Sequence, residues 1–89
     1  MAAARKLEVE VISEIRIPVY PRIGEEKLVR LVTYYLRPLA PRTLTIEEPT
    51  DDKKIIEAIR EDVAKRLHVK PEEIEISVIW SSRKSPLTV

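Results

Sequence analysis

With 89 residues, no cysteine and a formal net charge of +1, the chain has room for one small hydrophobic core and none for a disulfide framework, a thiolate zinc site or a cysteine nucleophile. Its 44% hydrophobic and 35% charged residues separate it from disordered chains, which bury too little apolar surface to offset the entropy of folding. Ala2, Ala3, Ala4, Arg5 and Lys6 lead straight into alternating residues, with no apolar run of signal or membrane-spanning length, so the expectation is a soluble, cytoplasmic protein that engages no membrane. Asn and Gln are missing, Met occurs once, and Glu, Lys and Arg abound, the direction taken by thermophilic proteins.

The first element is a strand. Leu7, Val9, Val11, Ile15, Ile17 and Val19 occupy odd positions, with Glu8, Glu10, Glu14 and Arg16 between them, a period of two with one buried face. An unbroken strand of about 13 residues would reach roughly 43 Å, beyond the usual length, which predicts an interruption near Ser13 and Glu14. Pro18 cannot donate a ladder hydrogen bond and so belongs at a sheet edge or a bulge.

After the Tyr20-Pro21-Arg22-Ile23-Gly24 turn, Leu28, Leu31, Val32, Tyr35 and Leu39 recur at spacings of three and four, which predicts a first helix over residues 25–37. Glu25 and Glu26 suit its positive end, and Pro38 and Pro41 would terminate it. Thr43 to Glu47 alternates again and predicts a short strand. Thr50 as N-cap and Asp51 and Asp52 in the first turn predict a second helix from Asp51 to Leu67, with Ile55, Ile56, Ile59, Val63 and Leu67 inside. Glu61 with Lys65 and Asp62 with Arg66 are spaced as i,i+4 ion pairs on its outer face. Ile74, Ile76, Val78 and Trp80 form a final strand, and Trp80 reads as core packing.

These elements predict an α+β fold, a single small sheet with two helices packed on one face in the order β-α-β-α-β, its last strand–helix–strand unit a right-handed parallel crossover. A ferredoxin-like two-layer arrangement, with the N-terminal segment supplying two strands, is the alternative. Residues 1–80 make up the domain and 81–89 a flexible basic tail. The stretch from Thr43 to Ile46, the Asp52-Lys53-Lys54-Ile55-Ile56 helix and the Val69-Lys70-Pro71-Glu72-Glu73-Ile74 exit resemble the strand–helix–strand pattern of small tautomerases. That resemblance implies topology, and an enzyme of this kind as an alternative function, but the family's base is an N-terminal proline, whereas Pro41 lies within the chain.

Charge is unevenly spread. Residues 16–42 hold six basic and two acidic side chains, residues 43–80 six basic and ten acidic. On a helix, Lys27, Arg30, Tyr34 and Arg37 would share one stripe, offering guanidinium groups to phosphates and a tyrosine to an unpaired base, with Arg83 and Lys84 assisting from the tail. The plainer reading of that stripe is a solvated face. Glu47, Glu48, Asp51 and Asp52 contain oxygen ligands but match no calcium-loop spacing, and capping accounts for the two aspartates. His68 stands alone at a helix end, where it caps carbonyls, and no serine sits in a nucleophile elbow. The sequence therefore points to a non-enzymatic interaction domain without a cofactor, taking a protein partner or a second copy through a sheet edge or the first helix. Nucleic-acid binding through Lys27, Arg30, Tyr34, Arg37, Arg83 and Lys84 is the alternative.

Overall fold

The computed structural model describes residues 5–83. Strand β1 spans Arg5–Arg22, β2 Glu25–Tyr35, β3 Arg42–Glu47 and β4 Ile74–Ile79, with one α-helix, α1, over Asp52–Leu67 and short 3-10 turns at Pro71–Glu73 and Ser81–Arg83. The strands form one mixed sheet in the order β3-β2-β1-β4. The α+β class holds, but the chain runs β-β-β-α-β. β1 and β3 each pair antiparallel with β2, and β4 pairs parallel with β1. β3 and β4 therefore run the same way, and α1 is the crossover between them. The arrangement is not ferredoxin-like, since the N-terminal segment is one 18-residue strand.

The first predicted helix, residues 25–37, is strand β2. Its apolar residues at spacings of three and four coexist with apolar side chains on both faces of a central strand. Val29, Val32, Thr33, Tyr34 and Tyr35 are the β-branched and aromatic residues that fit a pleated surface. The turn before it is a two-residue hairpin loop, Ile23-Gly24, closed by the pair Arg22 and Glu25. Gly24 has a φ of 81°, which a side chain would resist.

The predicted interruption of β1 is a bulge. The register with β2 passes from Val11–Tyr34 to Ser13–Thr33, leaving Ile12 as an extra residue. This one residue reverses the parity of the strand. Before it, odd-numbered Val9 and Val11 lie in the core beneath α1; after it, Glu14 and Arg16 share the helix side with Val32 and Arg30, while Ile15 and Ile17 sit beside Leu31 and Val29 on the opposite face. The apolar stripe that looked continuous in sequence is thus divided between two faces.

Val9, Val11, Val32, Tyr34, Leu36 and Ile74 from the sheet meet Ile55, Ile59, Val63 and Ala64 from α1. Trp80 packs against this core, as expected. Asp51, rather than Thr50, caps α1: its Oδ1 accepts a hydrogen bond from the Lys54 backbone N–H at 2.9 Å. His68 ends the helix through its backbone, not its ring. It adopts the left-handed conformation (φ 59°, ψ 42°) and its N–H donates to helix carbonyls. Asp62 and Arg66 do not pair with each other; both turn to the sheet rim. The Tyr34 hydroxyl donates to Asp62 and accepts from Arg66 at 3.2 Å, while Arg42 donates to Asp62 and Arg66 to the Ala40 carbonyl.

β4 supports β1 only from Arg5 to Glu10, and β3 supports β2 only from Val29 to Tyr34. The rest of the β1–β2 hairpin projects as a two-stranded arm that α1 does not cover. The radius of gyration, 15.0 Å, exceeds the roughly 12 Å expected of a compact chain this long. No helix is long and apolar enough to cross a membrane among the described residues.

Candidate interaction face

The residues of the predicted basic stripe do not share a surface, because alternation along a strand sends odd and even positions to opposite sides. Lys27 is exposed on the helix-free face, opposite Val19. Arg30 is on the other face, only 11% exposed, with its guanidinium 3.1 Å from Glu48 and 3.7 Å from Glu14, themselves 10% and 13% exposed. Tyr34 is wholly buried. Burial and the hydrogen bond to Asp62 push its phenol up to about 12. Arg37 is exposed just past the end of β2. Arg83 grips Glu14 and Asp52 at 2.7–2.9 Å and lies over the Trp80 ring at 4.0 Å. Lys84 lies outside the described residues, as does the tail beyond it. Ser81 to Arg83, assigned to that tail, are instead tied to β1 by Ser81 to Glu10 and Ser82 to Glu14.

Three of the four residues of the acidic cluster are also committed, Glu47 being the exception. Glu48 takes Arg16, Arg30 and the Thr50 N–H, Asp51 caps α1, and Asp52 takes Arg83. Arg83 holds the Glu14 and Asp52 carboxyls below the usual carboxylate range. Among the described residues no group of three or more His, Cys, Asp or Glu side chains converges on a metal position. A groove of about 660 Å³ lies between the arm and the β3–α1 loop, lined by Arg16, Glu26, Leu28, Glu48 and Thr50 among others. Arg16 and Arg30 are paired with Glu48 there, Lys27 and Glu47 stand at its border, and the lining presents no acid–base or nucleophile pair.

Among the described residues, no element covers the sheet face opposite α1. Ile15, Ile17 and Val19 on β1 lie beside Leu31, Val29 and Lys27 on β2. Ile15 is 53% exposed. Ser13, Thr33, Thr43 and Thr45 continue this face toward the sheet base, and Glu47 flanks Val29 on β3. The bulge at Ile12 creates this patch, and no periodicity in the sequence reveals a parity change. Its signals were local: a strand run too long for one face and a Ser-Glu pair breaking the apolar sequence.

The edge of β1 beside the arm is less suited to pairing. The Leu28 carbonyl accepts from the Glu48 N–H on the β3 side, so Leu28 turns its backbone groups away from β1. Its partner Pro18 therefore directs its nitrogen to the free edge, where it withholds a donor that an added strand would need.

The chain matches no family model, no curated protein and no solved structure.

Proposed function

We propose that this protein is a non-enzymatic interaction domain whose working surface is the helix-free face of the β1–β2 arm. One observation carries the reading: exposed Ile15 and half-buried Ile17, Val19 and Leu31 gather around Val29, itself only 5% exposed, on a face with no covering element among the described residues. Scattered single apolar residues need no explanation, but a contiguous group on a flat sheet marks an interaction site. Beyond Val29 the hairpin, with Val19 and Lys27, is two-stranded, and a two-stranded ribbon is at best marginally stable alone in water, so contact with a partner also stabilises the end of the arm.

The nucleic-acid alternative draws no support from this geometry. Arg30 and Arg83 are neutralised by carboxylates, Tyr34 has no face to stack on a base, and Lys27 lies across the sheet from Arg30. The tautomerase-like alternative has the strand–helix–strand order but no basic nitrogen, since Pro41 is in an internal amide.

The test is a photo-crosslinker at Ile17 (Ile17→p-benzoyl-phenylalanine), irradiated in extract of the source organism, with the same group at exposed Glu57 on α1 as control. Protein adducts at position 17 and none at 57 are expected. Absence of adducts at 17 refutes the reading, and adducts to RNA or DNA at 17 replace it with the nucleic-acid one.

A further inference from the structure

We infer that the occupant of this face is a second copy of the same chain, packed face to face across a two-fold axis. The inference rests on the interaction reading above and names the partner. Its first support is charge. On the arm and its β3 flank the helix-free face carries Val19, Ile17, Ile15 and Ser13 from β1, Lys27, Val29, Leu31 and Thr33 from β2, and Glu47, Thr45 and Thr43 from β3. At the tip Arg22 and Glu25 lie 3.9 Å apart on the same face, and the two remaining charges, Lys27 and Glu47, enter no ion pair among the described residues, so the face is neutral overall. A face meant for nucleic acid or for a strongly charged protein would carry an excess of one sign. A face that meets itself must avoid such an excess, because every charge also meets its own copy.

The positions of the two charges supply the second support. Strands are spaced about 4.8 Å apart, and residues on one face repeat about every 6.8 Å. On that grid Lys27 and Glu47 are diagonal neighbours, one strand and one step apart. A two-fold axis lying in the interface and exchanging them is the perpendicular bisector of the line joining them. It passes within about 2 Å of both Val29 and Ile17 on this flat grid, across the middle of the apolar group. The same operation that sets Lys27 against Glu47 of the other copy therefore stacks Val29 and Ile17 on their own counterparts. The strands of the two sheets then cross at roughly 70°, close to the orthogonal class of sheet packing. In an isologous contact each pairing occurs twice, so the two lysines and two glutamates satisfy one another at the margin while the β-branched side chains exclude water at the centre.

The blunted edge is the third support. With Pro18 withholding a donor at the free side of β1 in the arm, adding a strand at the edge beside the apolar group is disfavoured, so a partner of this part of the sheet meets its face.

The chain has no cysteine, so a single introduced thiol reports proximity cleanly. Ile17→Cys, next to the axis, is expected to form a disulfide-linked dimer under mild oxidation, whereas Glu57→Cys stays monomeric. By sedimentation of the full chain from about 1 μM to about 1 mM, a range that spans weak to moderate affinities, the wild type should shift from monomer to dimer. Lys27→Glu should weaken the dimer at least roughly tenfold and Lys27→Glu/Glu47→Lys should restore it, with unchanged circular dichroism confirming that each variant folds. A wild type that stays monomeric throughout overturns the second copy as occupant, and so does a double reversal that fails to restore association. If Ile17 crosslinks in extract to a different protein while purified chain stays monomeric, the second copy is refuted and the interaction domain stands. If neither experiment yields an adduct or a dimer, both fail.

Discussion

Replacing Arg30 by alanine separates a surface cation from a structural one. An exposed arginine reserved for phosphate would be replaced within about 0.5 kcal/mol of the original stability. In the structure its guanidinium is enclosed between Glu14 and Glu48, all three side chains 10–13% exposed. Removing one partner of a buried ion pair typically costs about 3–5 kcal/mol, because the remaining charge is left without compensation. Here the loss is smaller, since Glu48 keeps Arg16 at 2.9 Å and the Thr50 N–H at 3.0 Å, and Glu14 keeps Arg83 at 2.9 Å. A destabilisation of about 2 kcal/mol is expected, equivalent to a fall in Tm of about 8–16 °C for a domain of this size. Urea unfolding, with the midpoint displaced and the slope unchanged, measures it independently. Arg30→Lys should fall between wild type and alanine, because an ammonium keeps the charge but not the fork that reaches both carboxylates. Lys27→Ala, studied at low protein concentration so that association does not contribute, is the exposed control. Equal stability of Arg30→Ala and Lys27→Ala would refute the buried placement of Arg30 and with it the register of β2.

Tyr34→Phe should cost about 1 kcal/mol, as Asp62 and Arg66 retain other partners. The difference between the alkaline absorbance titrations of wild type and this variant should centre near pH 12, not 10; a midpoint near 10 would contradict the burial of the phenol. Because folding raises this acid's pKa, its stabilising contribution is complete below about pH 10 and is lost as pH rises toward 12. Arg83→Ala should lower stability at neutral pH, and the gap from wild type should close in acid. The Glu14 pKa is depressed below 4.5, so its contribution is present above that pH and is lost as pH falls through the lowered value. A gap unchanged from pH 7 to pH 2, followed by circular dichroism, would refute the Arg83–Glu14 contact as its source. Asp51→Ala should destabilise α1 by about 1 kcal/mol, whereas Thr50→Ala should change little, because the Thr50 hydroxyl has no hydrogen-bond partner; thermal melts giving the reverse order would move the cap to Thr50.

The elements whose signals are local were legible along the chain. The alternation of Thr43 to Glu47, the capped stripe of Ile55, Ile59 and Val63, and the alternation of Ile74, Ile76 and Val78 each report one buried face, and β3, α1 and β4 lie within a residue or so of where those patterns end. The overlong first strand also announced its own interruption. The rest depended on how the strands came together. β2 is central, covered by neighbours on both edges and apolar on both faces, so Leu28, Leu31, Val32 and Tyr35 satisfy helical spacing without forming a helix, and the stripe of Lys27, Arg30, Tyr34 and Arg37 dissolves when alternate residues turn opposite ways. The apolar face of the arm depends on Ile12 standing outside the ladder, a consequence of which β2 residue pairs with Ser13. Arg30 and Arg83 read as surface charge until the fold brings Glu14, Glu48 and Asp52 beside them from distant segments. Periodicity records which neighbours along the chain share a face, but which strand lies alongside, and what then remains uncovered, is set by contacts between residues far apart in sequence.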